Sequence, residues 1–313
     1  MFGAVIRKIG AMDRERPRAA ATRALRKAVT AGAPLFFTRL FYGNNRGLRS
    51  WDGKRACLTL SWDCDLPEDL AAAPRLLDLL RDRGMKTCFA CVGKWIEREP
   101  DLHRRILAEG HEILNHSHTH PSSAILHPGR RFNQLSSREQ EEEILACHET
   151  CARLLHYEPL GFRTPHFGNA HTDGVDEILE RVGYRYSSSR PAVRTPAFGA
   201  PYRPRVGLVE FPLSFYPREP FQVFETWRYF RAPGARGCED EFFAMFRFLI
   251  DTAVDTNSYV NLYFDPIDVM RFGDFARFLD YARERADDLL LARYVDLLSG
   301  SGDARGPQKG AGE

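Results

Sequence analysis

Short apolar segments of strand length alternate with longer amphipathic segments from residue 56 onward. The strand-like segments cover residues 56–62, 86–92, 111–115, 160–162, 184–187, 207–212 and 259–264. The helix-like segments between them cover residues 67–83, a region ending at Gly110, and residues 137–156, 173–182, 240–254 and 272–286. This alternation is typical of parallel strands connected by outer helices. We therefore expect an α/β fold with one parallel sheet, and Ser137 with Gln140 predicts a capping box at one helix start.

Charged and imidazole side chains follow the predicted strands. They are Asp63, Asp65, His116, His120, Arg163 and Asp265. In a parallel barrel the carboxyl ends of the strands share one rim, where active sites form. Two imidazoles and one carboxylate can hold a catalytic zinc ion and leave room for water and substrate. The spacing thus predicts Asp65, His116 and His120 as metal ligands, with a second carboxylate, Asp63, beside them.

Three segments resemble motifs of one family. The run from Gly110 to His120 matches every specified position of the pattern Gly-His-Glu-apolar-x-Asn-His-Ser/Thr-x-x-His. That pattern is the second motif of the polysaccharide deacetylase family, also called the NodB-homology domain or carbohydrate esterase family 4. Residues 61–65 resemble its first motif, and residues 161–168 its Arg-x-Pro motif. The likeness spans residues 56–298 and implies a distorted parallel (β/α) barrel with fewer than eight strands.

The resemblance also implies a role for each site residue. Asp65 would be the metal carboxylate, completing with the two histidines a site for one divalent ion, expected to be zinc. Asp63 would be the general base, and Arg163 would orient it through an ion pair. The turn that contains His166 would offer a backbone N–H to the oxyanion, in a register that the sequence leaves open.

Asp265 departs from the family pattern. It precedes Pro266 at a position where related proteins often carry a histidine that acts as general acid. As a candidate catalytic residue, Asp265 either donates a proton, which requires a raised pKa, or holds Arg163 or a ligand histidine in place. The shorter side chain and the surrounding charges favour the second role.

These residues predict a metal-dependent hydrolase that removes an acyl group, with acetyl expected, from an N-acylated sugar or glycan precursor. The substrate could be polymeric, lipid-linked or nucleotide-linked. Two alternatives stay open: a metal-containing carbohydrate-binding protein with impaired turnover, and a hydrolase of another C–N bond such as a cyclic amide. Nucleic acid is not an expected partner, because the net charge of the chain is only +2.

The chain divides into three predicted regions: a basic helical extension at 1–50, a catalytic domain at 51–298 and a disordered tail at 299–313. Residues 1–48 hold ten Lys and Arg residues against two acidic ones. The extension is interpreted as a helix packed on the domain, or as a peripheral contact with anionic membranes, or as a transit peptide. Seven cysteines without an export signal favour reduced thiols and a cytoplasmic location, with membrane association as the alternative.

Overall fold

A mostly parallel β-sheet organises the chain in the computed structural model, which describes residues 29, 32–45, 51–235 and 237–298. The strands are β1 (Ala56–Cys64), β2 (Cys88–Cys91), β3 (Glu112–Asn115), β4 (Gly161–Phe162), β5 (Tyr186–Ser187), β6 (Tyr202–Arg205), β7 (Leu208–Glu210), β8 (Phe215–Tyr216), β9 (Glu219–Val223), β10 (Tyr259–Phe264) and β11 (Leu289–Leu291). The main sheet has the order β10-β1-β2-β3-β4-β5-β7-β6, and β11 pairs with the start of β1. All of its pairings are parallel except β6 with β7.

Helices connect most of these strands. They are α1 (Pro34–Gly43), α2 (Pro67–Asp82), α3 (Gly93–Arg98), α4 (Pro100–Ala108), α5 (Ser137–Leu155), α6 (Asp173–Arg181), α7 (Glu239–Thr256), α8 (Pro266–Val269), α9 (Ala276–Glu284) and α10 (Tyr294–Leu298). Three short 3-10 turns (Phe132–Gln134, Gly168–Ala170 and Ala192–Arg194) and a π-helical turn (Trp227–Arg231) lie in the longer connections. The predicted fold class is confirmed, since seven strands follow one another in parallel along the sheet.

Strand β1 shows how the sheet positions polar groups. All nine of its residues are buried, because neighbouring strands and helices cover both of its faces. The even-numbered residues from 56 to 64 belong to the larger apolar cluster, which includes residues of α2 and α7. Side chains alternate across a strand, so Ser61 and Asp63 point to the opposite, interior face.

The gap between the two ends of the sheet is bridged by hydrogen bonds. The Ser214 N–H donates to the Asn261 carbonyl at 2.9 Å, and the Asn261 N–H donates to Ser214 Oγ at 3.0 Å. The segment after β7 is thereby attached to β10. This contact gives the open sheet a barrel-like interior.

The structure differs from the sequence prediction in two local features. The capping box at α5 uses Ser136 and Glu139, because Ser136 precedes the first helical residue and its side chain accepts from the Glu139 N–H; the predicted pair was one residue late. Strands β6, β8, β9 and β11 were not predicted, because they are short and lack a clear apolar alternation.

Most of the predicted N-terminal extension lies outside the described residues, as does the predicted tail at 299–313. Helix α1 is described, and it packs on the domain through Phe37, Phe41 and Tyr42. Phe36 of the same helix is 58 % exposed. No helix in the described ranges is long and apolar enough to cross a membrane.

Candidate active site

The loop after β3 places the two predicted histidine ligands. Asn115 shapes this loop: its side-chain amide donates to the Ile144 carbonyl, and its side-chain oxygen accepts the Ser117 N–H at 2.8 Å. Ser117 and His120 have φ values of 62° and 51°, a region that residues other than glycine seldom adopt. Such strained backbone is often found at functional sites, and here it turns both imidazoles toward Asp65.

Asp65, His116 and His120 form a compact cluster. One ligand atom from each lies within 4.8 Å of the others. Asp65 Oδ1 is 3.1 Å from His116 Nε2, and Asp65 Oδ2 is 3.3 Å from His120 Nε2. Burial opposes ionisation of Asp65, but the two imidazoles outweigh it and lower the pKa of this carboxyl well below its usual value.

The hydrogen bonds around this cluster fit a divalent cation. His116 Nδ1 lies 2.7 Å from the Arg163 carbonyl, to which it can only donate, so in the neutral ring the Nε2 lone pair faces Asp65. Asp65 Oδ1 and His120 Nε2 are buried and form no hydrogen bond within the described residues. Buried polar atoms normally have a partner. A bound metal would supply one, and a carbonyl holding the second nitrogen is the usual support for a metal-binding histidine.

The predicted base and its partner are joined in the interior. The Arg163 guanidinium donates through Nη1 to Asp63 Oδ1, and both side chains are almost completely buried. Asp63 Oδ2 lies 3.9 Å from His116 Nε2, which places it beside the proposed ligands without being one of them. Burial raises the pKa of Asp63, and the positive charge of Arg163 opposes this rise. A carboxylate with a raised pKa is a stronger base.

Three further residues hold Arg163 in place, and sequence analysis did not assign them this role. Arg163 Nη2 donates to Ser61 Oγ at 3.0 Å, Ser188 Oγ at 3.0 Å and Tyr294 Oη at 2.8 Å. A signal for Ser61 was present, because alternation along β1 puts it on the same face as Asp63. Tyr294 lies 131 residues from Arg163 and comes close only through the fold.

The turn after Arg163 contains a candidate for the expected oxyanion donor. The Phe167 N–H donates to the Thr164 carbonyl and the Gly168 N–H to the Ser189 carbonyl, both at 2.9 Å. The His166 amide has no hydrogen-bond partner among the described residues. The His166 ring packs edge-on against His120, with 4.8 Å between centroids. This turn therefore leaves the His166 N–H as its available donor beside the ligand cluster.

His118, which lies between the two predicted ligands, belongs to another environment. Its Nε2 is 3.9 Å from a carboxylate oxygen of Glu97. Gly93 is required next to it, because a Cβ atom there would lie 2.4 Å from His118 Nδ1. His118 therefore contributes to loop packing and is not part of the three-residue cluster.

Asp265 contacts neither Arg163 nor a ligand histidine, so the partners predicted for its holding role were wrong. It pairs instead with Arg231 Nη2, while Arg231 Nε lies 2.7 Å from Asp268 Oδ1. Burial raises the pKa of Asp265 well above its usual range, and the negative charges of Asp69 and Asp65 add to this effect. Burial and the negative charge of Asp65 raise the pKa of Asp69 to about 7. A buried acidic group, formed by Asp69, Asp265 and Asp268 together with Arg231, thus lies beside the proposed metal ligands.

The sequence is similar to those of known proteins. Residues 52–187 match the polysaccharide deacetylase family model. A chitooligosaccharide deacetylase of Bradyrhizobium sp. (strain ANU 289) is 30 % identical over 138 residues, which cover 44 % of this chain and 55 % of the relative. A peptidoglycan-N-acetylglucosamine deacetylase of Bacillus cereus is 32 % identical over 98 residues, covering 31 % of this chain and 32 % of the relative. The chain thus spans about half the length, or less, of these curated relatives.

Solved structures share the fold. A putative polysaccharide deacetylase from Mycobacterium smegmatis superposes with a TM-score of 0.68 at 20 % identity, over 82 % of this chain and 93 % of that one. Puue allantoinase superposes with a TM-score of 0.63 at 16 % identity, over 82 % and 94 % of the two chains. At these identities the likeness concerns the fold alone. The sequence match over residues 52–187, which hold the strand-end motifs from Asp63 to Arg163, assigns this part of the chain to the polysaccharide deacetylase family.

Proposed function

We propose that this protein is a metal-dependent hydrolase that removes an acyl group, acetyl in the simplest case, from an N-acylated sugar or glycan. The observation that carries the proposal is the cluster of Asp65, His116 and His120 with Asp63 Oδ2 beside it. The matched relatives named as chitooligosaccharide and peptidoglycan-N-acetylglucosamine deacetylases support the choice of substrate class.

The proposed reaction breaks an amide C–N bond and forms a C–O bond with water. A divalent ion, when bound, makes water more acidic and polarises the substrate carbonyl. Asp63 accepts the proton of the attacking water at Oδ2, because its Oδ1 is held by Arg163. We assign the contact with the developing oxyanion to the His166 N–H, because this amide has no backbone partner among the described residues. Such a hydrogen bond strengthens as charge builds up.

The leaving amine must receive a proton. Asp265 stands where relatives often have a histidine for this step, but the structure pairs it with Arg231. We propose that Asp265 acts mainly by holding Arg231 within the acidic group. The proton taken up by Asp63 would then pass to the amine.

Acetate release from N-acetylated chitooligosaccharides by the zinc-loaded chain tests the proposal. We expect the His116→Ala/His120→Ala double variant to lose both metal, measured by elemental analysis, and acetate release. His118→Ala is the matched control, because it removes an imidazole of the same loop that faces Glu97. Metal content equal to that of the wild type in the double variant would refute the ligand assignment. Sugar binding without acetate release would make the chain a carbohydrate-binding protein.

A further inference from the structure

A second cavity borders the proposed active site. It has a volume of about 270 Å³ and is lined in part by His166, Phe167 and Phe221. The His166 ring contacts His120, and the Phe167 ring lies 5.1 Å from the Tyr263 ring, over which the Arg163 guanidinium is placed. A group bound in this cavity would therefore be attached to, or next to, a sugar held at the metal ligands.

The charged side chains lining this cavity all carry positive charge. Arg131 and Arg194 line it together with the polar side chains of Asn133, Asn169 and Gln222, and no Asp or Glu is among its described lining residues. The Arg131 guanidinium forms no ion pair with a described carboxylate, whereas the adjacent Arg130 is paired with Glu139 at 2.7 Å.

The backbone that carries Arg131 is anchored to the site. The neighbouring Phe132 is completely buried and packs on Phe162, with 5.7 Å between ring centroids. The Arg131 N–H donates to Gln134 Oε1 at 2.7 Å, and Asn133 Nδ2 donates to the Asn169 carbonyl at 3.2 Å. The second bond ties this segment to the 3-10 turn that follows His166. Arg131 is thus held at the cavity by the fold, although its own side chain is exposed.

We propose that this cavity binds an anionic oxygen group, phosphate or carboxylate, carried by the N-acylated sugar, with Arg131 as its main contact. The inference rests on the proposed function and narrows its substrate to charged sugars. An arginine can bind such a group through two parallel hydrogen bonds. Because Arg131 is exposed, its contribution is moderate and is weakened by salt.

Two readouts test the proposal on the zinc-loaded full chain. The first is calorimetric binding of N-acetylglucosamine 1-phosphate. The second is kcat/KM for acetate release from that sugar, from a disaccharide of N-acetylglucosamine and glucuronic acid, and from neutral diacetylchitobiose. We expect at least one anionic sugar to be preferred over the neutral one by about tenfold, and the better of the two identifies the source of the charge.

The variants separate charge from shape. Arg131→Gln should weaken binding of the preferred anionic sugar and raise its KM by about fivefold with little change in kcat, whereas Arg131→Lys should retain part of the effect. Arg130→Gln is the matched control and should behave as the wild type. Raising the NaCl concentration from 0.05 to 0.5 M, roughly the range over which the Debye length falls several-fold, should reduce the preference.

The outcomes distinguish this inference from the proposed function. Turnover of the neutral sugar with no preference for either anionic sugar overturns the inference and leaves the deacetylase proposal intact. Binding of N-acetylglucosamine 1-phosphate that depends on Arg131, without any acetate release, supports the anion site and contradicts the proposed function. Anionic preference that survives unchanged in Arg131→Gln also overturns the inference.

Discussion

At the scale of single residues, the proposed site separates two carboxylates by their surroundings. Asp65 lies between two imidazoles and is suited to a cation, whereas Asp63 is held by a buried arginine that itself has several hydrogen-bond partners. Asp63 lies near the end of β1 and Asp65 directly follows this strand, so the two carboxylates are close in sequence but have different neighbours. This difference is the physical basis for assigning them different chemical roles.

Asp63→Asn tests the base assignment. The amide preserves the shape of the side chain and can still accept a hydrogen bond from Arg163, but it cannot take a proton from water. We expect metal content to be retained and kcat to fall by about 10²- to 10⁴-fold. Thermal unfolding is the control, because a buried Arg163 without its countercharge also costs stability. Turnover at the wild-type rate would assign Asp63 a structural role instead.

Asp265→Asn tests the role of the residue that departs from the family pattern. Because Asp265 contacts Arg231 and is not a proposed ligand, we expect unchanged metal content, lower turnover and a pH profile of unchanged shape. The alternative has a clear signature. A raised pKa keeps Asp265 protonated to higher pH, so a proton donor would lose activity as the pH rises through that pKa. If the wild type loses activity at alkaline pH and the Asp265→Asn variant does not, Asp265 is the proton donor.

At the scale of elements, a short π-helical turn completes the rim of the sheet. The turn at Trp227–Arg231 brings Arg231 to Asp265 at the end of β10 and to Asp268 in α8. Asp69 of α2 accepts the Ile267 N–H, which joins α2 to the same corner. Three elements thus meet around carboxylates that one arginine partly neutralises.

Arg231→Gln should therefore destabilise the protein by about 3 kcal/mol, because it leaves buried carboxylates without a countercharge. The loss should be larger at pH 8 than at pH 5. The pKa values of Asp265 and Asp69 are raised in the folded protein, that of Asp69 to about 7. As the pH rises, these carboxyl groups therefore ionise in the unfolded chain before they ionise in the folded one. The free energy of unfolding thus decreases as the pH rises toward the folded-state pKa values. Removing Arg231 raises these pKa values further, so the free energy of unfolding decreases more at high pH.

Urea denaturation at the two pH values measures this effect. Arg228→Gln is the control, because it removes an exposed arginine from the same turn. An equal loss of stability at pH 5 and pH 8 in Arg231→Gln would show that Arg231 acts by packing rather than by charge.

At the scale of the whole molecule, Asn261 connects distant parts of the barrel interior. Its side-chain amide donates to Ser188 Oγ at 3.0 Å and to the Phe211 carbonyl at 2.8 Å, and its side-chain oxygen accepts from Tyr294 Oη at 2.8 Å. Ser188 and Tyr294 also hold Arg163. Closure of the sheet and orientation of the proposed base therefore depend on one hydrogen-bonded network.

Asn261→Leu should reduce the free energy of unfolding by about 3 kcal/mol, because it keeps the volume but leaves several buried polar groups unpaired. Turnover should fall as well, since Arg163 loses support. Ser214→Ala removes one hydrogen bond of the same bridge and should cost only about 1 kcal/mol. Similar losses in the two variants, measured by urea denaturation, would contradict the central position of Asn261.

The sequence by itself determined the α/β class, the bounds of β10 and the positions of the motifs relative to the strands. These features depend on local periodicity and on motif spacing, so they can be read from neighbouring residues. The closeness of Asp65, His116 and His120 was also predictable, because parallel strands present their carboxyl ends on one rim.

The tertiary structure alone decided the partners of these residues. Arg231 reaches Asp265 from a turn 34 residues away, Tyr294 reaches Arg163 across 131 residues, and Arg131 reaches the cavity beside His166 through a loop. Such contacts depend on how connections of irregular conformation pack, and no periodicity along the chain encodes that. The sequence therefore predicts which side chains lie on the rim of the sheet. Tertiary packing decides which charged or polar groups become their partners.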